Sequence, residues 1–198
     1  MQKAQPLEIP SARQPLVAAE TAEFTLAWTS RLASASERLE LGALSASDAE
    51  SLQGLTNDPA ITSAVSFLSH PFSRQDAAAI IARNANGLDC FMGIRRRADG
   101  VLVGVAGAHL VGAAEVEVGY WIGSRFQRHG YATEAVSALI ERLGTVWPER
   151  AVFAECRPLN AASWAVLAKL GFRATGEPGA RAQRVRLSLE RAAAASLS

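Results

Sequence analysis

One stretch of the sequence decides the fold: residues 117–135 read EVGYWIGSRFQRHGYATEA. Apolar and polar side chains alternate from Glu115 to Ile122, which predicts a strand. From Ala132 onward, apolar residues recur every three or four positions, which predicts a helix. The loop between them contains Gly130, which allows close backbone approach and opens onto the helix N-terminus. Unpaired N–H groups at that point form an anion site suited to a pyrophosphate.

The same stretch is also typical of an ordinary tight connection between a strand and a helix, so spacing alone leaves both interpretations open. It lacks the Lys-Ser/Thr pair of a P-loop and the G-x-G-x-x-G pattern of dinucleotide-binding folds. The pattern therefore does not favour a site for a nucleoside triphosphate or a dinucleotide.

Outward from this stretch, strand and helix patterns cover most of the chain. Ser45, Ser73 and Asn160 stand where helix N-caps are expected. Asp99-Gly100 separates two apolar runs and predicts a hairpin. The further strand patterns are Arg38–Leu44, Cys90–Arg95, Val101–Leu110, Ala151–Cys156 and Val185–Leu189. The order β-α-α-β-β-β-α-β-α-β predicts a mixed α/β (α+β) fold, with an antiparallel part first and a parallel βαβ crossover later.

The length of 198 residues fits one domain. Residues 1–36 contain three prolines and no clear period, so they are predicted to be an N-terminal extension of uncertain order. Residues 37–190 then form the domain, and residues 191–198 form a C-terminal tail.

Composition narrows the function classes. The net charge of +1 argues against a dedicated nucleic-acid binder, which carries a clear basic excess. Cys90 and Cys156 lie far apart without a CxxC partner, so neither a disulfide framework nor a metal site is expected. The sequence has no apolar run of about 20 residues and no signal-peptide pattern. These features predict a cytoplasmic protein with no membrane partner.

Several motifs resemble one family. QRHGYA at residues 127–132 resembles the Q/R-x-x-G-x-G/A motif of the GNAT acetyltransferase superfamily. NAASWAVLAKLGF at residues 160–172 resembles the N-x-x-S-x-x-V-L-x-K-L-G-F signature of its Rim-type branch, named for acetylation of ribosomal-protein N-termini. EVGYWI at residues 117–122 and HPFS at residues 70–73 are similar to that branch's E-I-G-Y-W strand and P-x-T/S helix entry.

The resemblance runs from about Arg38 to Leu189 and implies the GNAT fold. In that fold the mixed sheet is splayed between the fourth and fifth predicted strands, Glu115–Ile122 and Ala151–Cys156. It also implies acetyl-coenzyme A (acetyl-CoA) as co-substrate, with loop amides on its pyrophosphate. The spacing of His, Cys, Asp and Glu residues does not suggest a metal site. The cofactor-binding residues implied are Trp121, Ile122, Gln127, Arg128, His129, Gly130, Tyr131, Ala132, Thr133, Asn160 and Ser163.

The implied reaction is attack of an amine on a thioester, so an ammonium must first lose a proton. The resemblance places a general base at Glu117. Glu115 shares its face and could substitute for it or merely attract a cationic substrate. A solvated strand face is the alternative role for both glutamates. A backbone N–H near Trp121 or Ile122 is expected to meet the oxyanion.

Many GNAT members supply a tyrosine to protonate the departing thiolate, but this chain has Leu167 at that position. The Rim-type pattern implies Ser163 as the replacement. Asn160 is expected to contact the pantetheine arm. A plain helix N-cap and a first-turn hydroxyl are the structural alternatives for these two residues.

The acceptor side is less defined. Glu115, Phe72 and Tyr120 are the predicted substrate-side residues, whereas His109 is expected to be a strand residue rather than a base. The predicted function is direct acetyl transfer to a primary amine, either a protein N-terminus or a small-molecule amine. The alternative is a non-catalytic acyl-CoA-binding sensor or partner-binding module. A homodimer is common in the resembled branch.

Overall fold

A computed structural model describes residues 28–190 of the chain. The strands are β1 Ser34–Ala35, β2 Leu39–Ala43, β3 Asp89–Arg96, β4 Leu102–Val111, β5 Glu115–Ile122, β6 Ala151–Cys156, β7 Phe172–Pro178 and β8 Val185–Leu189. The helices are α1 Ala49–Thr56, α2 Pro59–Thr62, α3 Arg74–Arg83, α4 Tyr131–Val146 and α5 Ala161–Lys169. Residues 28–32 are also helical.

All eight strands form one sheet in the order β1-β2-β3-β4-β5-β6-β8-β7. Every neighbouring pair is antiparallel except β5 and β6, which are parallel and joined by α4. The predicted mixed α/β fold is therefore confirmed, with its antiparallel part first and its βαβ crossover later. The Asp99-Gly100 hairpin joins β3 to β4, with Gly100 at φ +70°.

Strand β7 is the longest of the elements that the sequence did not reveal, which also include the short β1 and α2. Of its seven residues only Phe172 is buried, so no alternation of apolar and polar residues marks it. It lies at the sheet edge and pairs with β8 alone.

The separation of β5 from β6 positions the site. The two strands pair through only three registered positions, which end at Glu117 opposite Phe153. Within the described chain, residues 118–122 of β5 have no registered partner on β6, while they remain paired with β4. The sheet therefore opens between the two strands that the family resemblance implied would splay.

Two buried clusters hold the helices on opposite faces of the sheet. One cluster packs α4 against the strands and includes Leu139 and Val116. The other packs α1 and α3 and includes Leu52 and Trp121. Because successive side chains of β5 point to opposite faces of the sheet, Val116 and Trp121 pack on opposite faces.

The predicted N-terminal extension is described only from residue 28. Trp28 and Leu32 are buried in the cluster under α4, and the Trp28 ring meets Trp147 edge-on at 5.3 Å. Residues 1–27 and the predicted tail, residues 191–198, lie outside the described residues. The division at residues 36 and 190 stays a prediction.

Among the described residues, none of the helices has the length and apolar content needed to span a bilayer.

Candidate functional site

A cavity of about 520 Å³ opens where β5 and β6 separate. It is bounded by both strands, by the loop that enters α4 and by the first turns of α5. The sequence-predicted residues that line it are Glu117, Tyr120, Trp121, Ile122, Gln127, Arg128, Gly130, Tyr131, Ala132, Thr133, Asn160 and Ser163. The fold thus brings two distant motifs to one opening.

The loop before α4 has the geometry of an anion cradle. Arg128 and Gly130 both have left-handed backbones, with φ +65° and +80°. Successive N–H groups in such a conformation point into one concavity. The first α-helical bond of α4 runs from the Glu134 N–H to the Gly130 carbonyl. The amides of residues 131–133 precede that bond and have no intrahelical acceptor, so the positive end of the helix faces the cavity.

Side chains in the loop fix its shape. The Gln127 amide donates to the Ile122 carbonyl at 3.0 Å, which ties the loop to the end of β5. The His129 ring stacks on Tyr131, with ring centroids 5.5 Å apart, and its Nδ1 lies 2.7 Å from the Gln127 carbonyl. His129 itself does not line the cavity.

Helix α5 begins with the predicted cap. The Asn160 side chain accepts a hydrogen bond from the Ser163 N–H at 3.1 Å. The Ser163 hydroxyl lies 3.0 Å from the Tyr120 hydroxyl, so the pair bridges the opening between α5 and β5. Burial raises the pKa of Tyr120 to about 12, which keeps the phenol neutral. Leu167, in place of the tyrosine common in the resembled family, lines the same wall.

Glu117 lies inside the cavity and is buried. Its Oε1 contacts the Arg181 guanidinium, whose Nε also donates to Glu155 Oε2 at 3.0 Å. Arg181 lies between β7 and β8, and Glu155 belongs to β6. The two carboxylates and the guanidinium therefore join β5, β6 and the β7–β8 connection.

Arg181 is a site residue that sequence reasoning missed. The segment from Gly179 to Arg184 has no period and no motif, and it follows a strand that was itself not predicted. Two contacts bring it to the cavity. The Gly179 N–H donates to the Arg184 carbonyl at 2.8 Å, and the Ala180 N–H donates to Glu155 at 2.6 Å.

Two predicted substrate-side residues lie away from the cavity lining. Glu115 is ion-paired with Arg186, and one third of its side chain is exposed. Phe72 is 1% exposed in the cluster under α1 and α3, and its N–H donates to the Asn57 side chain at 2.9 Å. Tyr120 lines the cavity on the side of Ser163.

A family model for the acetyltransferase (GNAT) domain matches residues 38–173. The N-acetyltransferase YnaD of Bacillus subtilis (strain 168), itself uncharacterized, is 28% identical over 106 residues. That match covers 53% of this chain and 62% of YnaD, which is less than two thirds of its length.

Solved structures resemble the chain over more of its length. A proposed ribosomal-protein-serine acetyltransferase from Vibrio cholerae is 25% identical, with a TM-score of 0.64, and the match covers 80% of this chain and 97% of that one. RimJ of Mycobacterium smegmatis, solved with a CoA-disulfide, is 20% identical, with a TM-score of 0.64 and coverage of 76% and 81%. At that identity the RimJ match shows the fold alone.

Proposed function

Because the chain belongs to the GNAT acetyltransferase family, we propose that it transfers an acetyl group from acetyl-CoA directly to a primary amine. One observation carries the proposal. A single cavity has an amide-lined helix N-terminus on one side and the buried carboxylate of Glu117 on another. The helix N-terminus suits a pyrophosphate, and the carboxylate suits an ammonium.

The cofactor side fits acetyl-CoA in the chemistry of its donors. The amides of residues 131–133 and the loop around Gly130 take the pyrophosphate. Arg128 adds a positive side chain at the same wall. Asn160 and Ser163 meet the pantetheine arm where α5 begins. Residues 121 and 122 end β5 beside the opening, where a backbone N–H can meet the thioester oxygen.

The reaction proceeds in one displacement. Glu117 takes a proton from the acceptor ammonium, and the neutral amine attacks the thioester carbon. The C–N bond forms, negative charge collects on the oxygen, and the C–S bond then breaks. The second proton on the nitrogen passes to the departing sulfur, and the Ser163 hydroxyl, 3.0 Å from the Tyr120 hydroxyl, donates a hydrogen bond to that sulfur. The products are an amide and coenzyme A.

The acceptor is a protein N-terminus or a small-molecule amine. The Rim-type resemblance and the Vibrio relative favour a protein N-terminus. A cytoplasmic location and a homodimer are proposed on the same family grounds. A non-catalytic acyl-CoA-binding module is the competing function, and Leu167 in the cavity wall is the observation that favours it.

Thiol release from acetyl-CoA tests the proposal. The acceptor panel comprises a peptide with a free N-terminal serine, spermidine, an amino acid and an aminoglycoside. We expect turnover on at least one amine, and Glu117→Gln should lower kcat by about 10²–10⁴-fold because the base is lost. Glu40→Gln, an exposed glutamate of β2, is the matched control. Binding of acetyl-CoA without turnover on any amine would favour the non-catalytic module.

A further inference from the structure

Three ionisable side chains form one row across the sheet. In the strand registers, Asp89 of β3 lies opposite His109 of β4, and His109 lies opposite Glu117 of β5. The side chains of directly opposite residues lie on the same face of the sheet, with their Cβ atoms about 5 Å apart. His109 and Glu117 both line the cavity, so this row crosses the cavity wall.

The imidazole of His109 is held in one orientation. Its Nδ1 lies 2.6 Å from Oδ1 of the buried Asp89. Arg83 donates to the other oxygen of Asp89 at 2.8 Å, which keeps that carboxylate ionised and fixed. Because an ionised carboxylate only accepts hydrogen bonds, Nδ1 carries the proton and Nε2 is the basic nitrogen of the neutral ring.

Glycines make room for that nitrogen. A Cβ at Gly107 would lie 2.6 Å from Nε2 of His109, so the ring leans over Gly107, which also lines the cavity. Gly119 lies opposite Gly107 on β5, and a Cβ there would meet nothing within 4 Å. The His109 ring therefore occupies the space above Gly107, and the open surface at Gly119 leaves room for an acceptor amine next to Glu117.

Glu117 needs a further group to hold the proton. Its contact with Arg181 favours the ionised carboxylate, so a proton taken from an ammonium is passed on readily. His109 is the neighbouring base in the row. Once protonated, its ring would be stabilised by the Asp89 carboxylate at Nδ1, and Glu117 is the next residue of the row on the same face.

We propose that Glu117 and His109 act together as the general base, with Asp89 as a positioning residue. The inference rests on the proposed function and deepens it. The ammonium proton passes to Glu117 and then to Nε2 of His109, and it leaves from there to solvent. After attack on the thioester, the second amine proton goes to the departing sulfur. The charged groups along the row are Asp89, which is paired with Arg83 and contacts the ring, and Glu117, which is paired with Arg181.

Steady-state kinetics of His109→Asn test the pair. The asparagine amide reaches Asp89 as Nδ1 does but offers no basic nitrogen. We expect kcat to fall by about 10²–10³-fold, with the KM for acetyl-CoA unchanged within about twofold. The rise of kcat/KM through the titration range of histidine should disappear. His70→Gln, which removes an exposed histidine outside the cavity, is the matched control and should behave as wild type.

Combination with Glu117→Gln separates a joint base from two independent groups. Residues that act as one unit lose activity non-additively, so the double variant should be about as slow as the slower single variant. If the two losses in kcat multiply in the double variant, or if kcat of His109→Asn stays within about threefold of wild type, the joint base is wrong. A wild-type protein that turns over no amine would instead overturn the proposed function.

The tautomer of His109 provides a readout independent of turnover. In long-range ¹H–¹⁵N NMR spectra of the free wild-type protein at alkaline pH, above the titration range of histidine, we expect a proton on Nδ1 and none on Nε2. Asp89→Asn should disturb this pattern and slow kcat while leaving the protein folded. A proton on Nε2 in the wild type would contradict the assignment.

Discussion

The two sides of the cavity are built from different parts of the chain. The cofactor side uses backbone amides from one continuous loop and helix start, residues 123–133. The acceptor side uses side chains from separate strands, with Asp89, His109 and Glu117 aligned by register and Arg181 brought in by a loop. Backbone groups bind a fixed ligand, whereas titratable side chains move protons.

This difference separates two kinetic effects. Changes on the cofactor side should act mainly through the KM for acetyl-CoA, because they alter a binding surface. Changes on the acceptor side should act mainly through kcat, because they alter groups needed in the transition state. The kinetic variants below test that division.

After Glu117 and His109, the largest effect is expected where the two sides meet, at Ser163 and Tyr120. Ser163→Ala removes the hydroxyl that we propose faces the departing sulfur, and loss of one such donor costs about 10²–10³-fold in kcat. Tyr120→Phe removes only its partner and should cost less. Because burial holds the pKa of Tyr120 at about 12, the phenol should add no titration step near neutral pH.

Saturating acetyl-CoA and a pH series of kcat measure both changes. Ser137→Ala, on α4 outside the cavity lining, is the matched hydroxyl control. An unchanged kcat in Ser163→Ala would mean that solvent protonates the thiolate.

The next effect is expected on the cofactor side, at Gly130. Gly130→Ala places a Cβ on a left-handed backbone, which costs about 1–2 kcal/mol. The loop should relax away from its anion-binding shape and raise the KM for acetyl-CoA about tenfold, with kcat retained. Gly100→Ala imposes the same strain in the β3–β4 hairpin and is the matched control. Equal KM values for acetyl-CoA in Gly130→Ala and Gly100→Ala would contradict a binding role for the loop at Gly130.

The same difference explains how much could be predicted from sequence. The cofactor side lies within short continuous motifs, so capping by Asn160 and the turn at Gly130 were predictable from neighbouring residues. The strand patterns also predicted the fold, because buried and exposed positions alternate along β2 and the crossover order is simple.

The row on the acceptor side could not be predicted in this way. Asp89, His109 and Glu117 come together only through the registers of two hairpins, and no local pattern fixes those registers. Considered by itself in the sequence, His109 is expected to be an ordinary strand residue. Arg181 gave no signal, because an exposed loop after an unpredicted strand carries no period.

A smaller effect is expected at Glu134, which ties α4 to the strands beside the cofactor loop. It accepts from the Ser36 hydroxyl at 2.7 Å and from the Arg38 N–H at 2.9 Å. Burial opposes ionisation, but these hydrogen bonds and the Arg38 guanidinium outweigh it and hold the pKa of Glu134 below its usual 4.5. Glu134→Gln should lower the free energy of unfolding by about 1 kcal/mol near neutral pH.

The sign of the pH dependence follows from that direction. A carboxyl with a depressed folded-state pKa stabilises the fold above its unfolded pKa, and this contribution is lost as the pH falls through the folded value. The unfolding free energies of the two proteins in urea should therefore start to converge as the pH falls below about 4.5 and should meet only below the folded-state pKa of Glu134. Glu141→Gln, an exposed glutamate on the same helix, should shift stability by less than about 0.5 kcal/mol. A constant difference at all pH values would point to lost packing instead.

The smallest effect is expected at Glu115, two residues from Glu117 on the same face of β5. Glu115 is paired with Arg186, partly exposed and outside the cavity lining, and its register partner on β4 is Val111 instead of a histidine. Its charge can attract a cationic acceptor only through screened solvent. Glu115→Gln should therefore raise the KM for a cationic amine by about two- to threefold at low salt, with kcat unchanged. A kcat loss equal to that of Glu117→Gln would mean that negative charge on β5, and not the row through His109, sets the rate.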